Sequence, residues 1–93
     1  MEIKKHPKLL KELANSVSSP WEFIEALASL ENLSIAEVAE RAGITREHYY
    51  VSKNQKSMGT RVALKFSRVF EIDPTILNRI TADFNLRKIL ETD

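Results

Sequence analysis

Arg46, Glu47 and Tyr50 carry the most distinctive chemistry in this chain. An arginine can donate two parallel N–H bonds to O6 and N7 of a guanine, a glutamate can accept from the N4 amine of a cytosine, and a tyrosine can lie along a phosphate or sugar. Arg46 and Tyr50 are one helical turn apart and would share a helix face. Thr45, just before them, reads more as a helix cap than as a base contact. Glu47 has a second reading, as an acid favoured in the first turn of its own helix. Behind this group come Lys53, Asn54, Lys56 and Arg61, candidates for contact with phosphate.

No constellation for catalysis stands beside them. His6 and His48 are far apart, cysteine is absent, and the acids lack metal-ligand spacing or a partner for general-base work. No metal, cofactor or enzymatic activity is expected.

The elements that must position these residues are short helices. Ser34-Ile35-Ala36-Glu37 is a capping box, Val38, Ala39 and Ala42 follow at helical spacing, and Gly43 supplies a left-handed stop. Thr45 then opens a second helix whose apolar side includes Tyr49. Two helices joined by so short a glycine-containing turn form a helix-turn-helix, whose second helix can enter a DNA major groove.

Upstream, Pro7 suits a first helical position, and Leu9, Leu10, Leu13, Ala14 and Val17 form one stripe. Ser19-Pro20-Trp21-Glu22 is a second capping box. The helix it opens runs to about Glu31 and buries Phe23, Ile24, Leu27 and Leu30, with Trp21 in the core or at a dimer contact. Downstream, Gly59 or Ser57 caps a helix over Thr60 to Phe70. Asp73-Pro74 begins another, and Thr81 to Leu90 is helical in pattern. Nothing alternates over a strand's length, so an all-α bundle of six or seven short helices is expected.

A chain of 93 residues with 43% hydrophobic residues suits one core and one domain. It divides into an N-terminal extension (1–19), a helix-turn-helix core (20–72) and a C-terminal helical dimerisation segment (73–93). The absence of cysteine fits a reducing compartment, and no apolar run reaches membrane length, so a cytoplasmic protein is expected. The net charge of +1 hides an uneven distribution. Pro20 to Glu40 holds five acids (Glu22, Glu25, Glu31, Glu37, Glu40) and no base; Thr45 to Lys65 holds five bases (Arg46, Lys53, Lys56, Arg61, Lys65) against Glu47. A phosphate-contacting edge requires that pattern, although solvated helix faces can also produce it.

Several stretches resemble the helix-turn-helix proteins of the Cro and phage-repressor (XRE) family, and within it the HigA-type antitoxins. Pro20-Trp21-Glu22-Phe23-Ile24 resembles the opening of the family's first helix, and Leu33-Ser34 through Gly43-Ile44-Thr45-Arg46 matches its leucine-serine, alanine and glycine landmarks. Ser57-Met58-Gly59-Thr60-Arg61-Val62-Ala63-Leu64 is similar to the stretch leading into its methionine-alanine-leucine helix. Asp73 to Leu77, then Asp83 to Arg87, are similar to its closing segments. The helix before Pro20 has no counterpart and reads as a toxin-binding element or, preferably, a cover for the core.

The chain also departs from the pattern. The family usually has glutamine where Ile35 stands, an apolar residue where spacing puts Ser52, and glycine where Asn54 or Gln55 stands. Either the chain is one residue shorter here, so that Val51 takes the buried role, or the second helix ends early.

The resemblance implies a lambda-repressor-like bundle that binds a palindromic double-stranded DNA operator as a homodimer, through its apolar C-terminal helices. The antitoxin likeness adds a small ribonuclease toxin as partner and repression of the protein's own operon. Two alternatives stand beside this: a free-standing phage-type repressor, and a helix-turn-helix retained for protein–protein interaction.

Overall fold

The computed structural model describes residues 2–92, and every regular element among them is helical. After a 3-10 turn at Ile3–Lys5 come α1 (Pro7–Ser16), α2 (Pro20–Leu30), α3 (Ile35–Ala42), α4 (Arg46–Gln55), α5 (Thr60–Phe70) and α6 (Pro74–Thr92). The all-α expectation is met. The two expected C-terminal helices are a single 19-residue helix, because nothing between Ile80 and Asp83 breaks it.

Local chemistry sets the helix starts. Ser34 Oγ accepts from Glu37 N at 3.1 Å while the Glu37 carboxylate accepts from Ser34 N at 3.5 Å, completing the capping box. Thr45 Oγ1 accepts from His48 N at 2.9 Å, and Asp73 Oδ1 from Thr75 N at 3.0 Å. At α2 only half of the expected box forms. Ser19 Oγ accepts from Glu22 N at 3.1 Å, but the Glu22 carboxylate reaches one residue further out, to Ser18 N and Oγ. These two donors hold the Glu22 carboxyl below its usual pKa.

Four helices end in the same way, with only one glycine among them. Gly43 N donates to Glu40 O and Ile44 N to Ala39 O, both at 3.0 Å, the paired bonds of a Schellman motif. The same pairing closes α2 at Asn32 and Leu33, α4 at Lys56 and Ser57, and α5 at Glu71 and Ile72. Asn32, Lys56 and Glu71 therefore sit in the left-handed region at φ 54–56°, as Gly43 does at 77°. The left-handed stop of α4, expected at Asn54 or Gln55, falls at Lys56, because α4 runs on to Gln55.

A single apolar core receives side chains from every element. Phe23, Ile24 and Leu27 of α2, Val38 of α3, Tyr49 of α4, Phe66 and Phe70 of α5 and Leu77 of α6 are buried together. α5 is central, packing on both α3 and α6. Trp21 is a core residue, edge-on to Phe84 at 5.3 Å. Buried Ser67 and Thr81 donate to the carbonyls one turn back, Ala63 at 2.9 Å and Leu77 at 2.8 Å, so neither hydroxyl is orphaned.

The N-terminal extension belongs to this core. Ile3 is fully buried and Leu10 nearly so. Lys4 pairs with Glu71, the residue that closes α5 just ahead of α6, and Arg87 Nη2, in the last third of α6, donates to Ser18 O at 2.7 Å. α1 therefore lies alongside α6 and runs in the same direction.

Candidate nucleic-acid interface

α4 buries one side chain outright and exposes most of the others. Tyr49 is the anchor. Its ring meets Phe66 edge-on at 5.9 Å, and its hydroxyl donates to the Glu25 carboxylate at 2.6 Å. Burial, then the adjacent Glu25 carboxylate, push the phenol well above its ordinary pKa, so it stays a neutral donor.

Tyr50 stands edge-on to Tyr49 at 5.3 Å, and the Arg46 guanidinium carbon lies 5.7 Å from the centre of the Tyr50 ring. A cation over an aromatic face at this distance is held by roughly 0.5–1 kcal/mol at an exposed site. Packing thus runs from Phe66 through Tyr49 and Tyr50 to Arg46, and it partly orients a guanidinium that would otherwise sample many rotamers.

Thr45, Arg46, Glu47, Tyr50, Val51 and Asn54 line one open depression of about 640 Å³ on this face. All four residues expected to meet bases are there, together with Asn54, which was expected at phosphate. Lys53, Lys56 and Arg61 lie outside it. Lys53 is bound to Glu25 at 2.8 Å, on the flank where Tyr49 is anchored, and has less charge to offer an anion. Lys56 and Arg61 are exposed and in no ion pair among the described residues.

Neither expectation for Val51 and Ser52 holds. Val51 is 49% exposed, and α4 continues past it to Gln55. Ser52 takes the inward position as a polar residue. Its hydroxyl accepts from Trp21 Nε1 at 3.3 Å and donates to the Ser57 carbonyl. A serine replaces an apolar side chain here because the indole N–H needs an acceptor and the loop carbonyl a donor. Lys88 Nζ adds a bond to Lys56 O at 2.9 Å, so the loop after α4 is fixed from α4 and from α6.

Val51 is the site residue that sequence reasoning missed. The signal was present in the spacing, because Glu47, Tyr50, Val51 and Asn54 recur as one face once Tyr49 and Ser52 define the other. Ile35, at the start of α3, is half-buried against the core.

No protein-family model, no curated protein and no solved structure matches the chain. Among the described residues no helix is long and apolar enough to cross a membrane.

Proposed function

We propose that this chain is a sequence-specific DNA-binding transcriptional regulator that lays the exposed face of α4 in the major groove. The observation that carries the reading is the convergence of Thr45, Arg46, Glu47, Tyr50, Val51 and Asn54 on one open face, opposite the single anchor Tyr49. Arg46 reads guanine, and Glu47 accepts from cytosine N4. Val51 offers an apolar contact to a thymine methyl. Lys56 and Arg61 hold phosphate on either side of the loop that follows, with Lys53 contributing less. Thr45 Oγ1 is engaged as the cap of α4, which leaves it a minor base contact. One short helix reads only a few base pairs, so the reading requires two copies on a palindromic operator in the cytoplasm.

The resemblance to HigA-type antitoxins extends the proposal to a partner, a small ribonuclease toxin that the protein neutralises while repressing its own operon. A basic ribonuclease-like product encoded immediately upstream, co-purifying with this chain, is the expected finding; an unrelated neighbour favours a free-standing repressor.

The test is selection from random duplex DNA followed by a salt titration on the enriched site. Affinity should fall steeply with salt, in proportion to the number of phosphates neutralised. Arg46→Ala should cost about 1–3 kcal/mol at one base position and relax specificity there. No enriched sequence and no complex at low salt would sink the proposal in favour of a helix-turn-helix used to bind protein.

A further inference from the structure

α1 has no counterpart in the helix-turn-helix pattern, and where it lies beside α6 the two helices leave a groove of about 310 Å³. Small-molecule sites occupy roughly 300–1,000 Å³, so the groove suits a ligand at the small end of that range. Its origin is legible in the apolar stripe of α1. Leu9, Leu10, Leu13 and Val17 are bulky, but Ala14 ends in a single methyl and leaves space beside Ile76 and Ile80 of α6. Leu10 and Ile80, both buried, give the groove an apolar floor.

The rest of the lining is charged, and its charges are not spent on one another. Lys11, Arg79 and Asp83 all line the groove, and none makes an ion pair among the described residues. Arg79 and Asp83 stand one turn apart on α6, with about 5–6 Å between their Cβ atoms. Base before acid is the less favourable order for a pair within one helix. Lys11 adds a second positive charge from α1.

Two cations and one anion beside an apolar floor select a molecule with both signs of charge at one end and a hydrocarbon body. An apolar carboxylate leaves Asp83 uncompensated, and an apolar amine leaves Arg79 and Lys11 so. A free α-amino acid satisfies all three. Its carboxylate accepts from Arg79 and Lys11, its ammonium donates to Asp83, and a single carbon joins the two groups, a spacing that side chains one turn apart can span.

We propose that the α1–α6 groove binds a free amino acid with an apolar side chain, of the size of leucine or phenylalanine, through Arg79, Lys11 and Asp83. The side chain lies on Leu10, Ala14, Ile76 and Ile80. The ligand bridges two helices that only the folded chain brings together, so it stabilises the native state as its concentration rises. The site lies apart from α4 and stands whether or not the chain reads DNA.

Calorimetric titration of the full chain tests it, with L-leucine and L-phenylalanine as ligands beside three truncated ones. 4-Methylpentanoate lacks the ammonium, 3-methylbutylamine lacks the carboxylate and glycine lacks the body. At least one apolar amino acid should bind saturably at one site per chain and raise the thermal midpoint, and each truncated ligand should bind at least about tenfold more weakly. Asp83→Asn should remove the preference for leucine over 4-methylpentanoate and keep that over 3-methylbutylamine; Arg79→Gln should reduce the latter and keep the former. A merely structural role would shift every ligand alike. Ala14→Leu should fill the groove and abolish binding, with helix content unchanged by circular dichroism. No saturable binding of either amino acid at millimolar concentration, a truncated ligand as tight as leucine, or binding indifferent to Ala14→Leu would each overturn the proposal. So would binding that vanishes as protein concentration rises, which would place a second copy of the chain in the groove.

Discussion

α3 and α4 are neighbours joined by three residues, and they are held in opposite ways. α3 is secured by devices within its own sequence: a capping box at Ser34 and Glu37, a buried stripe of Val38, Ala39 and Ala42, and a glycine stop. α4 buries only Tyr49 and depends on side chains from distant parts of the chain, Glu25 for Tyr49 and Lys53, and Trp21 for Ser52. A helix with one buried residue lacks a broad apolar contact area, so a few directed bonds must fix its orientation. The same economy leaves its remaining surface open to a ligand.

Removing the anchor should break this contrast most severely. Tyr49→Ala should cost about 3–5 kcal/mol in urea denaturation, as large aromatic truncations in cores do. A loss no greater than that of a cap residue in α3 would mean that α4 does not hang on Tyr49. Tyr49→Phe keeps the ring and deletes the bond to Glu25; with Glu25 partly exposed, about 1–2 kcal/mol is expected.

The same pair of proteins sharpens the point through pH. In the unfolded chain the Tyr49 phenol ionises at about pH 10. The native state holds its proton to higher pH, so it binds more protons there and stability must fall as pH rises beyond that point. Tyr49→Phe should lack this part of the alkaline decline. A decline identical in both proteins would show that the buried phenol is not responsible. At the acid end Glu22 works in the opposite sense. Its lowered pKa stabilises the fold above the ordinary carboxylate range, and that contribution should fade as pH falls through the native value; Glu22→Gln should flatten it.

Ser52→Ala, which leaves the Trp21 indole N–H without its acceptor, should cost about 1–2 kcal/mol. Ser34→Ala should cost about 1 kcal/mol by uncapping α3. The smallest effects compare the two left-handed stops. Gly43→Ala meets no neighbouring atom, so its loss of about 1 kcal/mol is one of backbone conformation alone. Lys56→Gly should stabilise by up to about 1 kcal/mol for the converse reason. If Lys56 holds phosphate, the same change should weaken DNA binding evenly across sequences and reduce the salt slope by about 1. A more stable variant with unchanged DNA affinity would remove Lys56 from the interface.

Much of the fold was legible in the chain because its signals are local. The starts of α3, α4 and α6 followed from Ser34, Thr45 and Asp73-Pro74, and the stop of α3 from Gly43. Each of those residues acts on backbone groups two to four positions away. The stops of α2, α4 and α5 were less visible, since Asn32, Lys56 and Glu71 adopt the left-handed conformation without being glycine. The next residue of α2 and α5, Leu33 and Ile72, packs on the core. The exposed face of α4 was mostly legible, and Val51 was misjudged because burial at Ser52 could not be inferred from a polar side chain.

The sequence by itself determined an all-helical chain, the order of its helices and which of them face a core, because caps and 3.6-residue periodicity act within one or two turns. Only the tertiary structure decided how α4 is held and which of its residues are free. Ser52 could be placed inward only once Trp21, 31 residues away, came within reach, and Lys53 met Glu25 only when α2 packed beneath α4. Those choices depend on which unpaired donors and acceptors meet after the helices have packed, and no local rule carries that information.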